Sequence, residues 1–146
     1  MIAQTIQLAL APVFVLVAVG NILNLLSTRL GRIVDRSRRL QELHRETSGA
    51  DHDMVVREIR MIDNRIDLIG RAILMLVLSG IAIGLTVALL FLEAMIGANL
   101  QGLASVTFIL AIGLLTFGLI LFLRETRQAS RALRIPEELL EKDRKI

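Results

Sequence analysis

This chain of 146 residues has no cysteine, no tryptophan and no tyrosine, and only two prolines. Without cysteine there is no disulfide framework and no thiolate to act as metal ligand or nucleophile. Basic residues outnumber acidic ones by 17 to 14, and such an excess often indicates nucleic acid binding. That function favours aromatic side chains for base stacking. Because aromatic residues make up 3% of the chain and the basic ones flank apolar runs, we expect no nucleic acid partner.

Charge is also missing from three long stretches, residues 1–28, 72–92 and 94–123. About twenty apolar residues cross the hydrocarbon core of a bilayer, and a hydrophobic content of 54% is too high for an ordinary soluble domain. We therefore predict a single all-α membrane domain, 1–146. Its transmembrane helices are expected at about 5–28, 72–92 and 103–123. Two glycines and two amides in 97–102 predict a short turn at 93–102 between the second and third helices.

All seventeen Lys and Arg residues lie in two segments, 29–71 and 124–146. Basic residues near span ends resist translocation, so both segments are predicted to be cytoplasmic and the N-terminus to lie outside. The first span lacks a basic leading segment, which argues against a cleaved signal peptide. The arginines nearest the membrane are expected to contact anionic lipid headgroups: Arg29, Arg32, Arg71 and Arg124.

The segment 29–71 continues the first two spans with apolar residues at alternating steps of three and four, the pattern of a coiled coil. Gly49 is expected to end the first helix, and Asp51 to cap the second. We predict an antiparallel coiled-coil hairpin that protrudes roughly 27 Å into the cytoplasm. The tail 124–146 is expected to extend the third helix and to restart at Pro136. The two seams are Leu26, Leu30, Ile33, Ser37, Leu40 and His44, and Val55, Ile59, Ile62, Ile66, Ile69, Ile73 and Leu76.

Five blocks of the sequence stand out beside the helix ends: IQLALAPVFVL at 6–16, RLGRIVDRSRRL at 29–40, ALLFLEA at 88–94, ILFLRE at 120–125 and RALRI at 131–135. With these blocks the chain resembles a known bacterial family of three-span integral membrane proteins, domain of unknown function 2721. The resemblance implies a location in the bacterial inner membrane and a shared fold. It implies no substrate, cofactor or active residue.

One face of the first span carries polar and small side chains. Amides in hydrocarbon are costly unless they are paired, so this face is expected to contact protein or water. It either packs against the other two helices, the interpretation we favour, or lines a pore in a homo-oligomer with Asn21 and Asn24 as polar rings. The residues are Gln4, Gln7, Ala11, Phe14, Ala18, Asn21, Asn24 and Thr28.

Three further features have a functional and a plainer interpretation. Glu93 is the only acidic residue predicted on the outer side, and it either ends a helix or forms an acidic ring at a pore mouth. His44 and His52 flank the hairpin turn without a metal-ligand spacing, so we expect solvated side chains and no metal site. A small-residue face is expected to allow close helix packing: Gly80, Gly84 and Ala88.

The sequence contains no catalytic constellation: no intramembrane carboxylate pair, no nucleophile with a base and no glycine-rich phosphate loop. We therefore expect no enzymatic activity and no cofactor. The apolar seams, the small-residue face and the amides together predict a homo-oligomeric helical assembly that acts as a scaffold or accessory protein. An unidentified membrane protein is an alternative partner, and a homo-oligomeric ion channel lined by the first span is the alternative function.

Overall fold

The structure, a computed structural model, describes residues 2–132, with side chains described for 3–130. This part of the chain forms three helices, α1 (Ile2–Glu46), α2 (Ala50–Ile96) and α3 (Gln101–Ala132). Each contains a stretch that is long and apolar enough to cross a membrane, which confirms the prediction of an all-helical, three-span protein. The predicted helix restart at Pro136 lies outside the described residues.

The first two helices are much longer than a membrane is thick. They have 45 and 47 residues, or about 68 and 70 Å at 1.5 Å per residue. The hydrocarbon core of a bilayer is about 30 Å across. Each helix therefore runs without a break from its apolar half into its arginine-rich half.

Both turns depend on a glycine with positive φ. Gly49 has φ 67° and immediately precedes α2, so the prediction of Asp51 as the N-cap is wrong. Asp51 lies in the first turn of α2, where its negative charge interacts favourably with the positive end of the helix dipole. Gly97, with φ 70°, donates its N–H to the backbone carbonyl of Glu93 at 2.9 Å. Because α2 continues as far as Ile96, the second turn is shorter than the predicted 93–102.

The helices α1 and α2 pack side by side in antiparallel directions. Contacts extend from His44 and His52 beside the first turn to Leu16, which lies close to Gly80. Buried residues on both helices recur every seventh position, which is the spacing of helices that coil around each other with a left-handed twist. They are Val19, Leu26, Ile33 and Leu40 on α1, and Ile62, Ile69, Leu76 and Ile83 on α2.

The helices α2 and α3 approach each other through small side chains, also spaced by seven. The hydroxyl of Ser79 donates to the carbonyl of Ala111 at 2.7 Å. A Cβ added at Gly118 would lie 3.2 Å from Leu76 Cγ and 3.3 Å from the carbonyl oxygen of Ala72. This close contact involves a pattern that the sequence analysis did not identify. The small residues are Ala72, Ser79 and Thr86 on α2, and Ala104, Ala111 and Gly118 on α3.

The predicted small-residue face of α2 is only partly used within the chain. A Cβ added at Gly80 would lie 3.6 Å from Leu16 Cδ1 of α1. Gly84 and Ala88 are exposed, and a Cβ at Gly84 would meet no atom within 4 Å. The half of this face formed by Gly84 and Ala88 is therefore open to lipid or to another protein.

Candidate functional site

The polar and small residues of α1 form an exposed face. From Phe14 to Thr28 this face points away from α2 and α3, whereas Gln4 and Ala11, near its start, also line pockets that α1 forms with the other two helices. We call it the amide face: Gln4, Gln7, Ala11, Phe14, Ala18, Asn21, Asn24 and Thr28. Phe14 is 69% exposed. The helix instead buries the opposite side, with Val19 and Leu26 against α2. This face therefore does not form the interface of α1 with the other helices, because larger apolar side chains on the opposite side of α1 fill that interface.

The polar groups on this face differ in whether they find partners. Thr28 donates its hydroxyl hydrogen to the carbonyl of Asn24 at 3.0 Å, so its polarity is satisfied within the helix. The side-chain amides of Asn21 and Asn24 make no hydrogen bond with any group in residues 2–132. Two unpaired amides therefore lie on the exterior of a span that is otherwise apolar.

A buried cluster of charges joins all three helices where the apolar spans end. The side chain of Glu125 is 0% exposed. Arg65 on α2 donates from Nε and Nη2 to its Oε1 at 3.0 and 2.8 Å, and Arg29 Nη2 on α1 lies 3.4 Å from its Oε2. We call these three residues the ion-pair junction. Charge-assisted bonds of this kind, shielded from water, hold their partners far more firmly than exposed pairs do.

The junction determines what Arg29 contacts. Its Nη1 donates to the hydroxyl of Thr126 at 3.3 Å, and its guanidinium lies 5.2 Å from the ring centroid of Phe122. Three groups of α3 therefore surround this arginine, which sequence reasoning assigned to lipid headgroups. Among the other three arginines that were predicted to contact lipid headgroups, Arg71 forms an ion pair with Asp67 at 3.0 Å.

Arg32 and Arg124 are exposed in the structure. Neither forms a hydrogen bond or an ion pair with another group in the described part of the chain. Their contact with headgroups stays a prediction.

Glu93 lies at the opposite end of the apolar spans from the ion-pair junction. Its side chain is half-buried, and its Oε2 is buried without a hydrogen-bond partner among the described residues. It lines a cavity between the first residues of α1, the last turn of α2 and the start of α3. Within one chain, Glu93 is thus part of the wall of a half-open pocket, whose lining residues Gln4 and Asn99 are exposed.

The two histidines beside the first turn contact each other. The ring centroids of His44 and His52 are 4.4 Å apart, with the planes tilted by 53°. Within residues 2–132 there is no group of three or more His, Cys, Asp or Glu residues that could hold a metal ion.

The family model described as "Protein of unknown function (DUF2721)" matches residues 9–135, which is most of the chain. The chain belongs to this family. The match includes α1 from Ala9 onward, all of α2 and all of α3, so the ion-pair junction and most of the amide face lie inside the family domain. No curated protein and no solved structure shows significant similarity to this chain. Membership confirms the resemblance found in the sequence and assigns no activity.

Proposed function

We propose that this membrane protein is a homo-oligomer in the bacterial inner membrane, that copies associate through the amide face of α1, and that it acts as a scaffold or accessory protein without catalysis. The observation that carries the proposal is the exposure of Asn21 and Asn24 on an apolar helix, where their side-chain amides have no hydrogen-bond partner among residues 2–132. An amide left unpaired in hydrocarbon costs several kcal/mol, about as much as a buried polar group without a hydrogen bond.

A second copy of this chain is the partner whose chemistry fits best. A carboxamide is both donor and acceptor, so two identical amide faces related by symmetry satisfy each other. Each such interhelical hydrogen bond contributes about 0.6 kcal/mol in a membrane. Ala11 and Ala18, on the same face, permit two α1 helices to approach closely.

The proposal includes a topology. The segment 29–71 forms a coiled-coil hairpin in the cytoplasm, supported by buried residues at seven-residue intervals, such as Ile33, Leu40 and Ile62. The concentration of all Lys and Arg in 29–71 and 124–146 supports a cytoplasmic C-terminus and an N-terminus outside. Arg32 and Arg124, both exposed, are then placed to contact anionic headgroups.

A homo-oligomeric ion channel is the second candidate, and the same exposed amides favour it. Around a central axis, Asn21 and Asn24 would form polar rings along a pore lined by α1. Phe14 on the same face would form an apolar constriction, since such rings close pores by excluding water. Ion flux across a membrane distinguishes a channel from a scaffold.

The absence of cysteine allows a direct test of the interface by cross-linking. Ala18→Cys places a thiol on the amide face, and Thr116→Cys places one on an exposed position of α3. Because Arg29 contacts Thr126 and the two helices run in the same direction, residues 18 and 116 lie at about the same depth in the membrane.

Under mild oxidation in native membranes, we expect covalent dimers of Ala18→Cys and few of Thr116→Cys, since a disulfide needs Cα atoms within about 7 Å. Equal cross-linking of the two variants would contradict an interface on the amide face.

Reconstituted liposomes test the channel. If the amide face lines a pore, wild-type protein releases trapped ions and Asn21→Leu reduces the rate at least about tenfold, as the loss of a polar ring predicts. Thr116→Leu, at a similar depth on α3, should leave the rate unchanged. Flux no faster than in protein-free liposomes would leave the scaffold as the function.

A further inference from the structure

The Glu93 end of the molecule contains a chamber of about 520 Å³ between the three helices. Polar groups line it from three directions, Gln4 on α1, Glu93 on α2, and Asn99 and Gln101 at the second turn. One oxygen of Glu93 is buried with no hydrogen-bond partner in residues 2–132. A buried carboxylate oxygen without a donor is costly, so the chamber favours a ligand that supplies one.

An apolar slot of about 240 Å³ continues from the chamber toward the middle of the spans. The two cavities share the side chains of Leu8, Leu90 and Gln101. Beyond them the slot reaches Pro12 on α1 and Phe108 on α3. Since Phe108 follows Gln101 by seven residues, the slot extends about 10 Å along the helices.

The chamber and the slot lie at different depths and therefore in different layers of a bilayer. The apolar run 72–92 has twenty-one residues, about 31 Å of helix, which matches the hydrocarbon thickness. Glu93 follows it directly and so lies at headgroup level. The slot, beside Thr86 and Leu90, lies at the level of the acyl chains.

Charge determines which headgroup fits. Glu93 is the only charged residue in 72–123, and residues 1–28 have none. The chamber therefore offers one carboxylate and no basic side chain among the residues that line it. A cation fits such a site, and an anionic headgroup such as a glycerol phosphate diester with no amine does not.

We propose that this end of the protein binds a phospholipid with a primary-amine headgroup, its ammonium against Glu93 and one acyl chain in the slot. A primary ammonium carries three N–H donors for the unpartnered oxygen and the surrounding amides, whereas a quaternary choline group has none. An inorganic cation would leave the slot without an occupant. The proposal does not depend on oligomerisation.

Native mass spectrometry of the full chain tests the proposal. The protein is released from nanodiscs that contain equal amounts of phosphatidylethanolamine, phosphatidylcholine and phosphatidylglycerol with identical acyl chains. For wild type we expect about a tenfold preference for phosphatidylethanolamine over phosphatidylcholine, the ratio that one charge-assisted hydrogen bond supplies. Equal retention of the three lipids would overturn the proposal.

Variants test the two parts of the site separately. Glu93→Gln should reduce the preference to about twofold or less, since it removes the charge and keeps the shape. Glu58→Gln, which removes an acidic group in a partly exposed pair at the other end, should leave the preference unchanged. Ser105→Leu narrows the slot and should lower retention of all diacyl lipids at least fivefold, whereas Thr116→Leu should not.

Helix content and thermal midpoint are measured on each variant, so that a loss of binding is assigned only to folded protein. Water-soluble phosphoethanolamine, added at a concentration equal to that of the lipid, provides the last comparison. It should not displace the lipid, because it has no acyl chain for the slot. Displacement by phosphoethanolamine, together with an unchanged Ser105→Leu variant, would show a site for free amines and contradict the lipid proposal.

Discussion

The two ends of the apolar, three-helix part of this protein are held together in different ways. At one end, the buried carboxylate of Glu125 binds Arg65 of α2 and lies 3.4 Å from Arg29 of α1, so one group ties three helices. At the other end, α1 and α3 are separated by the 520 Å³ chamber that Glu93 lines. One oxygen of each carboxylate, Oε2, accepts no hydrogen bond from the described residues, but Glu125 has two arginine ion pairs and Glu93 has none among those residues. The comparison teaches that a carboxylate with arginine partners closes the bundle, whereas a carboxylate without one marks a place where the bundle stays open.

The difference follows from where the arginines are. Arg29 and Arg65 lie beside the apolar spans at the same level as Glu125, and their long side chains reach the carboxylate from two helices. All of the chain's Lys and Arg residues lie in 29–71 and 124–146, and none in the described part of the chain lines the pocket beside Glu93. We infer that the arginine-rich end provides a rigid base, and that the Glu93 end is the part able to take up a ligand.

The largest effect is expected from breaking the closed end. Glu125→Ala leaves Arg29 and Arg65 without their shared counter-ion, and we expect a loss of about 3 kcal/mol in the free energy of unfolding. Thermal or denaturant unfolding in detergent, followed by circular dichroism, measures it. A loss below about 1 kcal/mol would mean that the junction is no stronger than an exposed ion pair.

A smaller effect is expected from the close contact between α2 and α3. Gly118→Ala places a Cβ 3.2 Å from Leu76 Cγ and 3.3 Å from a backbone oxygen, and should cost about 1–2 kcal/mol by overpacking. The matched control is Gly113→Ala, because nothing lies within 4 Å of a Cβ there. It should be neutral or stabilising by up to about 1 kcal/mol, since alanine favours helix. Equal effects of the two substitutions in the same unfolding assay would contradict the close approach.

The hydrogen bond between α2 and α3 should have a smaller effect again. Ser79→Ala removes the hydroxyl that donates to the carbonyl of Ala111, and we expect a loss of about 0.6 kcal/mol, the average for such bonds in membranes. Ser105→Ala is the control, because its hydroxyl bonds to the carbonyl of Gln101 in its own helix. The unfolding free energy should fall more for Ser79→Ala than for the control.

The smallest effect is expected for an exposed pair in the arginine-rich segment. Arg36 and Glu58 are 2.7 Å apart, but their side chains are 51% and 38% exposed. Glu58→Gln should therefore lower the unfolding free energy by less than about 1 kcal/mol, and less at high salt than at low salt. If it costs as much as Glu125→Ala, burial is not what separates the two ion pairs.

Much of the fold could be predicted from the sequence because it depends on local patterns. Uncharged runs of twenty or more residues predicted the three spans. Apolar residues such as Leu26 and Ile69, at three- and four-residue steps, predicted the side on which α1 and α2 contact each other along the two seams. Glycine at positions 49 and 97 marked both turns. Each of these signals lies within one continuous segment of the sequence.

The ion-pair junction could not be predicted in the same way. Glu125 follows Arg124 at the end of an apolar run and therefore resembles an ordinary solvated helix end, while its partners are 60 and 96 residues away. One signal was present. Ala104, Ala111 and Gly118 repeat every seventh residue, and the next position in that series is Glu125. Continuing that series would have placed the carboxylate on the buried side of α3.

The direction of the amide face was also missed, because periodicity identifies a face but not its neighbour. Asn21 and Asn24 indicated a surface in contact with protein or water, and packing against the other two helices was favoured over a pore lining in a homo-oligomer. The structure assigns α2 to the side of Val19 and leaves the amides exposed. Among residues 2–132 no group pairs with these amides.

The most direct test of the amide-face interface is the oligomeric mass of the protein in nanodiscs, with the mass of the lipid subtracted. It is measured for wild type and for the double variant Asn21→Leu, Asn24→Leu. We predict a defined homo-oligomer for wild type and a shift to monomer for the variant. A wild-type monomer, or an oligomer that the double substitution leaves intact, would contradict the interface.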